Sequence, residues 1–432
     1  MQLSELYTLY QQFPSIQTDT RKVKDADLFF ALKGPNFNGN LFAKEALAKG
    51  AAYAVVDEET ENRDERIIQV PDVLKTLQEL ALYHRKQFIV PAPGKQIPFI
   101  AITGSNGKTT SKELVHAVLS TAYKTYTTAG NLNNHIGIPL TILKIKPDAE
   151  IAIIEMGANH QKEIEAYCVY TMPTHGVITN CGKAHLEGFG GEEGIRKGKG
   201  ELYDYLRDHH GIAFVMWDYD YLQEMSKGIP QVITYGTREA GITGFVKKST
   251  GLLEVSITAG ANIDSIQTNL VGEYNLPNIL LAVAIGKYFN VADDKIKAAL
   301  ENYIPSNSRS QLIKKEGNKI ILDAYNANPT SMKAAVENFV NMEGAEKVLI
   351  LGGMMELGPE SQKEHQALVD LIGKYTWKDV VLVGGDFNKV DHAYLYFENA
   401  AQAKDWFKGQ HYKHAAILVK GSRSTQMEKV LE

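Results

Sequence analysis

An α/β protein of three domains, built mostly on parallel sheets, is what the sequence predicts. Short continuous apolar runs alternate with helical stretches, the pattern of parallel strands covered on both faces. One of these runs leads through a glycine-rich turn into a helix. The chain is 432 residues long, and at roughly 100 to 200 residues per domain it holds two to four.

Composition narrows the class. Hydrophobic residues make up 44% and charged residues 22%, values that argue for packed cores and against disorder. A formal net charge of −5 offers no basic surface to nucleic acid or an anionic membrane. Cys168 and Cys181 are the only cysteines, too few for a disulfide framework or a Cys-rich zinc site, and they fit a reducing compartment. Met1-Gln2-Leu3-Ser4-Glu5-Leu6 has no basic segment followed by an apolar one, so no secretion signal is expected. No uncharged apolar run reaches the ~18 residues of a membrane span. The expectation is a soluble cytoplasmic protein.

The first domain is expected over 1–93. Residues 28–32 and 52–56 read as buried strands, and 42–49 as a helix stopped by Gly50. Pro91-Ala92-Pro93-Gly94 reads as a linker, because proline disfavours helix at itself and one residue before. The second domain, 94–304, opens with an apolar strand at 98–103, then the glycine loop and a helix from about Lys108 to Ala122. Further apolar strands are expected at 150–155, ending in Glu155, and at 175–180. Residues 231–271 alternate more strictly and predict an appended antiparallel patch. Asn275 and Pro277 suit the N-cap and first turn of an apolar helix at 279–288. The third domain, 305–432, carries four apolar strands at 320–323, 348–351, 380–383 and 416–419. They end at Asp323, Gly352, Gly384 and Lys420, and the carboxyl ends of parallel strands should face a ligand cleft.

The strongest chemical signal is Thr103-Gly104-Ser105-Asn106-Gly107-Lys108-Thr109-Thr110. Glycines let backbone N–H groups gather around phosphate oxygens, and the helix N-terminus adds partial positive charge. Lys108 can reach the β- and γ-phosphates, and the Thr109 hydroxyl can ligate Mg²⁺. Ile102 stands where the usual motif has its first glycine; a strand–helix turn without a ligand is the plain alternative. Glu155, an acid ending a buried strand, suits Mg²⁺, with a helix N-terminal acid as its alternative. By spacing alone His185, His160 and His135 read as structural. Lys199 lies between Gly198 and Gly200 on a helix, where each glycine costs ~1 kcal/mol. It reads either as a residue held close to something or as part of a solvated basic face. Asn275 and Asn278 lie three apart and can read an adenine edge or merely cap a helix. Arg309 can pair with phosphate bidentately. Asp323, at a strand end, can accept from ribose hydroxyls or from a water beside a metal ion.

Together these residues resemble the Mur ligase family, ATP-dependent amide ligases of peptidoglycan precursor synthesis. The likeness covers the whole chain. Gly104, Ser105, Asn106, Gly107, Lys108, Thr109 and Thr110 match the family's short P-loop, which accounts for Ile102. The resemblance implies an N-terminal UDP-substrate-binding α/β domain, a central P-loop ATPase domain and a C-terminal Rossmann-like domain. It implies ATP, two Mg²⁺ ions and a carbamylated Lys199 as cofactors. Thr109, Glu155, His185 and Lys199 would be metal ligands, and Lys108, His185 and Lys199 catalytic. Asn275, Asn278, Arg309 and Asp323 would contact the nucleotide.

Within the family, several segments resemble the branch that adds D-alanyl-D-alanine to UDP-N-acetylmuramoyl-tripeptide. They are 130–139, 155–160, 184–190, Asp323-Ala324-Tyr325-Asn326-Ala327-Asn328-Pro329, 351–358 and Lys420-Gly421-Ser422-Arg423. Asp19, Thr20, Arg21, Lys33, Asn131, Asn134, Tyr325, Asn326 and Asn328 would then bind substrate. Gly353 departs from this branch, which usually has Asp there. The implied partners are the UDP-tripeptide and D-alanyl-D-alanine, with no nucleic acid or membrane, and the chain acting as a monomer. A ligase adding a single amino acid, a folylpolyglutamate synthase-like ligase and a non-catalytic nucleotide-binding scaffold are the competing readings.

Overall fold

In the computed structural model, residues 2–59, 64–89, 96–305, 309–344 and 346–432 are described. The expected linker at 91–94 lies outside them. Two compact units form: Met1–Ala101 with Lys124–Gly157 and Glu163–His175, and Ile102–Tyr123 with Ala158–Lys162 and Gly176–Glu432.

The first unit begins with a four-stranded parallel sheet, in the order Ile16–Gln17, Leu28–Phe30, Tyr53–Val56, Ile67–Gln69. Leu28, Phe29 and Phe30 are fully buried, as a continuous apolar run requires. Ala31 and Leu32 leave the sheet and lead into a small antiparallel hairpin, Lys33–Gly34 with Phe37–Asn38. Helix Val73–Lys86 starts at Asp72, whose carboxylate accepts from the Lys75 N–H at 2.8 Å. Its buried face, Val73, Leu77, Leu80, Ala81 and His84, follows helical spacing. Arg85 on that face is fully buried. Its guanidinium lies 3.7 Å from the Phe99 ring centroid and donates to the Thr171 and Met172 carbonyls at 2.9 and 3.0 Å. These carbonyls end helix Glu163–Thr171, where a cation is favoured.

The central sheet has nine strands: Ser265–Val271, Leu252–Ala259, Ile242–Lys248, Gln231–Gly236, Ile212–Met216, His175–Ile178, Phe99–Thr103, Ile151–Glu155 and Thr125–Thr127. Strands Phe99–Thr103, Ile151–Glu155 and His175–Ile178 are buried along their whole length. The antiparallel patch is shorter than its alternation predicts. Gln231–Gly236 pairs in parallel on both sides, and only the pairings of Leu252–Ala259 with Ile242–Lys248 and with Ser265–Val271 are antiparallel. Alternation reports a half-exposed face, not strand direction.

The C-terminal sheet has the order Gln311–Lys315, Asn318–Asp323, Ala416–Lys420, Lys347–Gly352, Asp379–Val383, Leu395–Phe397. All but the first strand run parallel. Register aligns Asp323 with Lys420, Lys420 with Leu351, and Gly352 with Val383, so the strand ends form one row. Gly353, next in line, has no room for a side chain: a Cβ there would lie 2.5 Å from the Gly385 Cα. The missing Asp at this position thus has a steric reason in this chain.

Candidate active site

The glycine loop joins strand Phe99–Thr103 to helix Lys108–Leu119. Two glycines are demanded by geometry. Gly104 has φ +138° and a Cβ on it would lie 2.1 Å from Thr179 Oγ1; Gly107 has φ +82° and a Cβ would lie 2.7 Å from Asn278 Oδ1. The loop is fixed by the end of the neighbouring chain segment. Ser105 N donates to the Asn180 carbonyl at 2.8 Å, and Asn106 N to Asn180 Oδ1 at 3.2 Å. The Asn106 carbonyl accepts from Thr179 Oγ1 at 2.6 Å and from Asn180 Nδ2 at 3.0 Å. Ser105 Oγ donates to the Gly182 carbonyl at 2.6 Å. The Lys108 ammonium lies over the loop, donating to the Gly104 and Ser105 carbonyls at 2.6 and 3.2 Å. Thr109 is buried and Thr110 half-buried. Thr179 and Asn180 carry much of this scaffold; the sequence marks them only as the end of the expected strand 175–180, not as supports of the loop.

Asn278 and Asn275 form a buried amide chain. Ser111 Oγ donates to Asn278 Oδ1 at 2.9 Å, Asn278 Nδ2 to Asn275 Oδ1 at 2.9 Å, and Asn275 Nδ2 to the Val271 carbonyl at 2.8 Å. This ties helix Leu276–Tyr288 to the P-loop helix. The Asn275 side chain makes no cap hydrogen bond, unlike the expectation, because a 3₁₀ turn, Glu273–Asn275, runs straight into the helix.

Lys199 is 1% exposed. The reading of a solvated basic face is therefore corrected. Its Nζ donates to the Ala158 carbonyl at 2.9 Å and lies 4.7 Å from the Phe189 ring centroid. Gly198 has a packing reason: a Cβ there would lie 2.5 Å from the Phe189 ring. His185 has φ +54°, and its Nδ1 donates to Glu356 Oε2. That hydrogen bond holds the Glu356 carboxyl below the usual carboxylate range. In the neutral ring, Nε2 is then the nitrogen left to accept a ligand. Glu356 lies in the motif 351–358, but no spacing rule links it to His185.

Asp323 accepts from Lys420 Nζ at 2.6 Å and from Ser310 N at 3.2 Å; its remaining lone pairs can take a ribose hydroxyl. The Arg309 guanidinium lies 3.6 Å from the Tyr325 ring centroid, and among the described residues its buried Nε has no hydrogen-bond partner. Asn326 is exposed and its carbonyl accepts from Lys420. Asn328 caps helix Pro329–Val340 and its amide meets Asn106.

In the first unit, Asn133 Nδ2 donates to Glu155 Oε1 at 2.7 Å. Asn131 and Asn134 are exposed, and Asn134 Oδ1 accepts from the Ile136 and Gly137 N–H groups. Asp19 caps the turn Thr20–Lys22 and pairs with Arg21, whose hydrogen bonds pull the Asp19 carboxyl down to about 2. Lys33 lies 3.0 Å from Asp57 and 3.4 Å from Glu58.

The Thr109 hydroxyl and the Glu155 carboxylate are each hard oxygen donors of the kind Mg²⁺ takes. Among the described residues no three His, Cys, Asp or Glu side chains converge on one point. Neither Cys168 nor Cys181 forms a disulfide. Among the described residues no helix is long and apolar enough to cross a membrane.

A P-loop domain followed by a Rossmann-like domain defines a class of nucleotide-using enzymes. The chain belongs to the Mur ligase family. Residues 12–85 match the Mur ligase family catalytic domain, 102–286 the Mur ligase middle domain, and 308–423 the Mur ligase, glutamate ligase domain. The chain is 36% identical to the UDP-N-acetylmuramoyl-tripeptide–D-alanyl-D-alanine ligase of Escherichia coli strain K12, over 96% of this chain and 92% of that one. Among solved structures it resembles MurF from Acinetobacter baumannii, with TM-score 0.86 and 29% identity over 98% and 96% of the two chains. It also resembles the MurF ligase from Thermotoga maritima in complex with ADP, with TM-score 0.84 and 26% identity over 96% of each chain.

Proposed function

We propose that the chain is an ATP-dependent amide ligase. It joins D-alanyl-D-alanine to UDP-N-acetylmuramoyl-tripeptide, giving the UDP-pentapeptide, ADP and phosphate. The observation that carries this reading is an intact, pre-shaped P-loop in a chain whose likeness to such ligases runs from end to end.

In the first step the tripeptide's terminal carboxylate attacks the γ-phosphate of ATP, and an acyl phosphate and ADP form. In the second the amine of D-alanyl-D-alanine attacks the acyl carbon, and phosphate leaves. Phosphoryl transfer depends on positioning and charge neutralisation more than on covalent protein chemistry. The loop N–H groups and Lys108 would hold the phosphates. Lys108 would leave the loop carbonyls for the phosphate oxygens, exchanging neutral acceptors for charged ones. Thr109 and Glu155 would hold one Mg²⁺, and His185 and a carbamylated Lys199 a second. Bound Mg²⁺ supplies neutralisation of phosphate charge. Burial of Lys199 suits a carbamate, which needs shelter from water and keeps one N–H for the Ala158 carbonyl. Asn278, Arg309 and Asp323 would contact the nucleotide, with Asn275 supporting Asn278. Asp19, Thr20, Arg21, Lys33, Asn131, Asn134, Tyr325 and Asn326 would meet the UDP-peptide or the incoming dipeptide. With such substrates the reaction belongs in the cytoplasm, and a monomer suffices for it.

The test is ADP release with UDP-tripeptide plus D-alanyl-D-alanine, set beside UDP-dipeptide plus single amino acids. Faster release with the second pair would overturn the proposed acceptor and donor.

A further inference from the structure

The resemblance implies a nucleotide contact for Asn106 and a substrate contact for Asn328, yet the two amides face each other. Asn328 Nδ2 donates to Asn106 Oδ1 at 2.7 Å, and Asn106 Nδ2 donates back to Asn328 Oδ1 at 3.4 Å, across 222 residues of chain. Asn328 Oδ1 also accepts from the Ser331 N–H at 2.9 Å, capping helix Pro329–Val340. A carboxamide has two N–H groups and two lone pairs. Both lone pairs of Asn328 are thus in use, as is one N–H, and the residue is 4% exposed. Little remains to offer a substrate.

Asn106 is held from the opposite side as well. Its main-chain N–H and carbonyl are bound by Asn180 and Thr179. The tip of the phosphate loop is therefore clamped between the end of strand His175–Ile178 and the start of helix Pro329–Val340. Nearby contacts brace the same junction: Lys183 N donates to Thr330 Oγ1 at 2.9 Å, and Lys183 Nζ lies 2.7 Å from Glu364.

We infer that Asn328 is a positioning residue for the phosphate loop, acting through Asn106, and not a substrate contact. Ordering the loop before the nucleotide arrives lowers the entropy lost on binding. This inference rests on the nucleotide reading given above. A loop that loses the clamp should bind nucleotide more weakly, while the acceptor and donor peptides are bound as before.

The experiment measures affinity of the full-length chain for a non-hydrolysable ATP analogue with Mg²⁺, by calorimetry, in wild type, Asn106→Ala, Asn328→Ser and the double variant. Serine keeps the helix cap but is too short to reach Asn106; Asn328→Thr is the second variant should Asn328→Ser unfold. One net hydrogen bond corresponds to about 10-fold in affinity, the loss expected in each single variant. Because the two residues act as one unit, the double variant should lie within about 2-fold of either single. KM for the UDP-tripeptide and for D-alanyl-D-alanine should be unchanged. Losses that multiply to about 100-fold would overturn the inference, since separate contacts add in free energy. So would an Asn328→Ser enzyme with normal nucleotide affinity and a raised KM for either peptide. A wild-type chain that binds no analogue overturns the nucleotide reading, and this inference with it.

Discussion

Acid should loosen the sheet beside the phosphate loop through a single buried ring. His175 opens strand His175–Ile178, whose continuation supplies Thr179 and Asn180 to the loop. The residue is 6% exposed, and burial pushes its imidazole from 6.5 down to about 4. The folded state thus resists protonation where the unfolded chain accepts it. Between pH 6.5 and 4 the unfolded state holds more protons, so stability falls as pH drops through this window. At about 1.36 kcal/mol per pH unit the full loss is roughly 3 kcal/mol. At pH 5 linkage gives roughly 2 kcal/mol of it. His84, His116 and His365 shift the same way, by burial. They are present in wild type and variants alike, so the comparison isolates His175. The assay is denaturant or calorimetric unfolding of wild type, His175→Phe and His175→Gln at pH 7 and pH 5. Each variant should lose about 2 kcal/mol less than wild type between the two pH values, whatever its stability at pH 7. Parallel losses in all three proteins would refute the argument.

Other substitutions probe the site and its frame. Lys108→Ala should cut turnover at least ~10³-fold by removing phosphate charge stabilisation, with the unfolding midpoint nearly unchanged; steady-state ADP release and thermal unfolding report both. Arg85→Met should destabilise the chain by about 3 kcal/mol, since it strands the Thr171 and Met172 carbonyls in a buried setting. Arg85→Lys should recover little of that in the same unfolding assay, because an ammonium cannot reproduce the planar fork. Gly353→Asp should lower stability by about 2 kcal/mol or more, as its Cβ would press on Gly385 backbone; an unchanged midpoint would show that this backbone yields freely. Lys199→Ala should lose activity and regain part of it with acetate or formate, which would return a negative oxygen to the proposed metal; full activity without additive would remove the residue from the proposed metal site.

Much of the fold was legible because continuous apolar runs have one common outcome. Runs at 150–155, 348–351 and 416–419 are buried strands within a residue or two of their expected ends. The glycine loop was legible because Gly104 and Gly107 are confined by geometry that other residues fit badly. What stayed hidden shares one physical character: pairing between groups far apart in the chain. Glu356 finds His185 171 residues away, and Asn328 finds Asn106 across 222. A periodicity cannot report such pairs. The direction of strand Gln231–Gly236 was hidden for a related reason, since pairing partners set it and its own sequence does not.

Lys199 shows how one signal can hold two causes. Glycines on either side of a helical lysine suggest that something approaches closely, and something does: the Phe189 ring rests on Gly198. By itself that contact explains the glycine and says nothing of chemistry. The same packing has a second effect, because it closes over the neighbouring side chain and leaves Lys199 1% exposed. A buried ammonium is costly unless well partnered, and here the Ala158 carbonyl at 2.9 Å and the Phe189 ring lie against it. The uncharged amine is the form that reacts with CO₂. The glycine that admits Phe189 therefore creates the shelter in which the proposed carbamate would form. Gly198→Ala should displace the ring, admit water to Lys199 and weaken activity, even though the glycine touches no ligand.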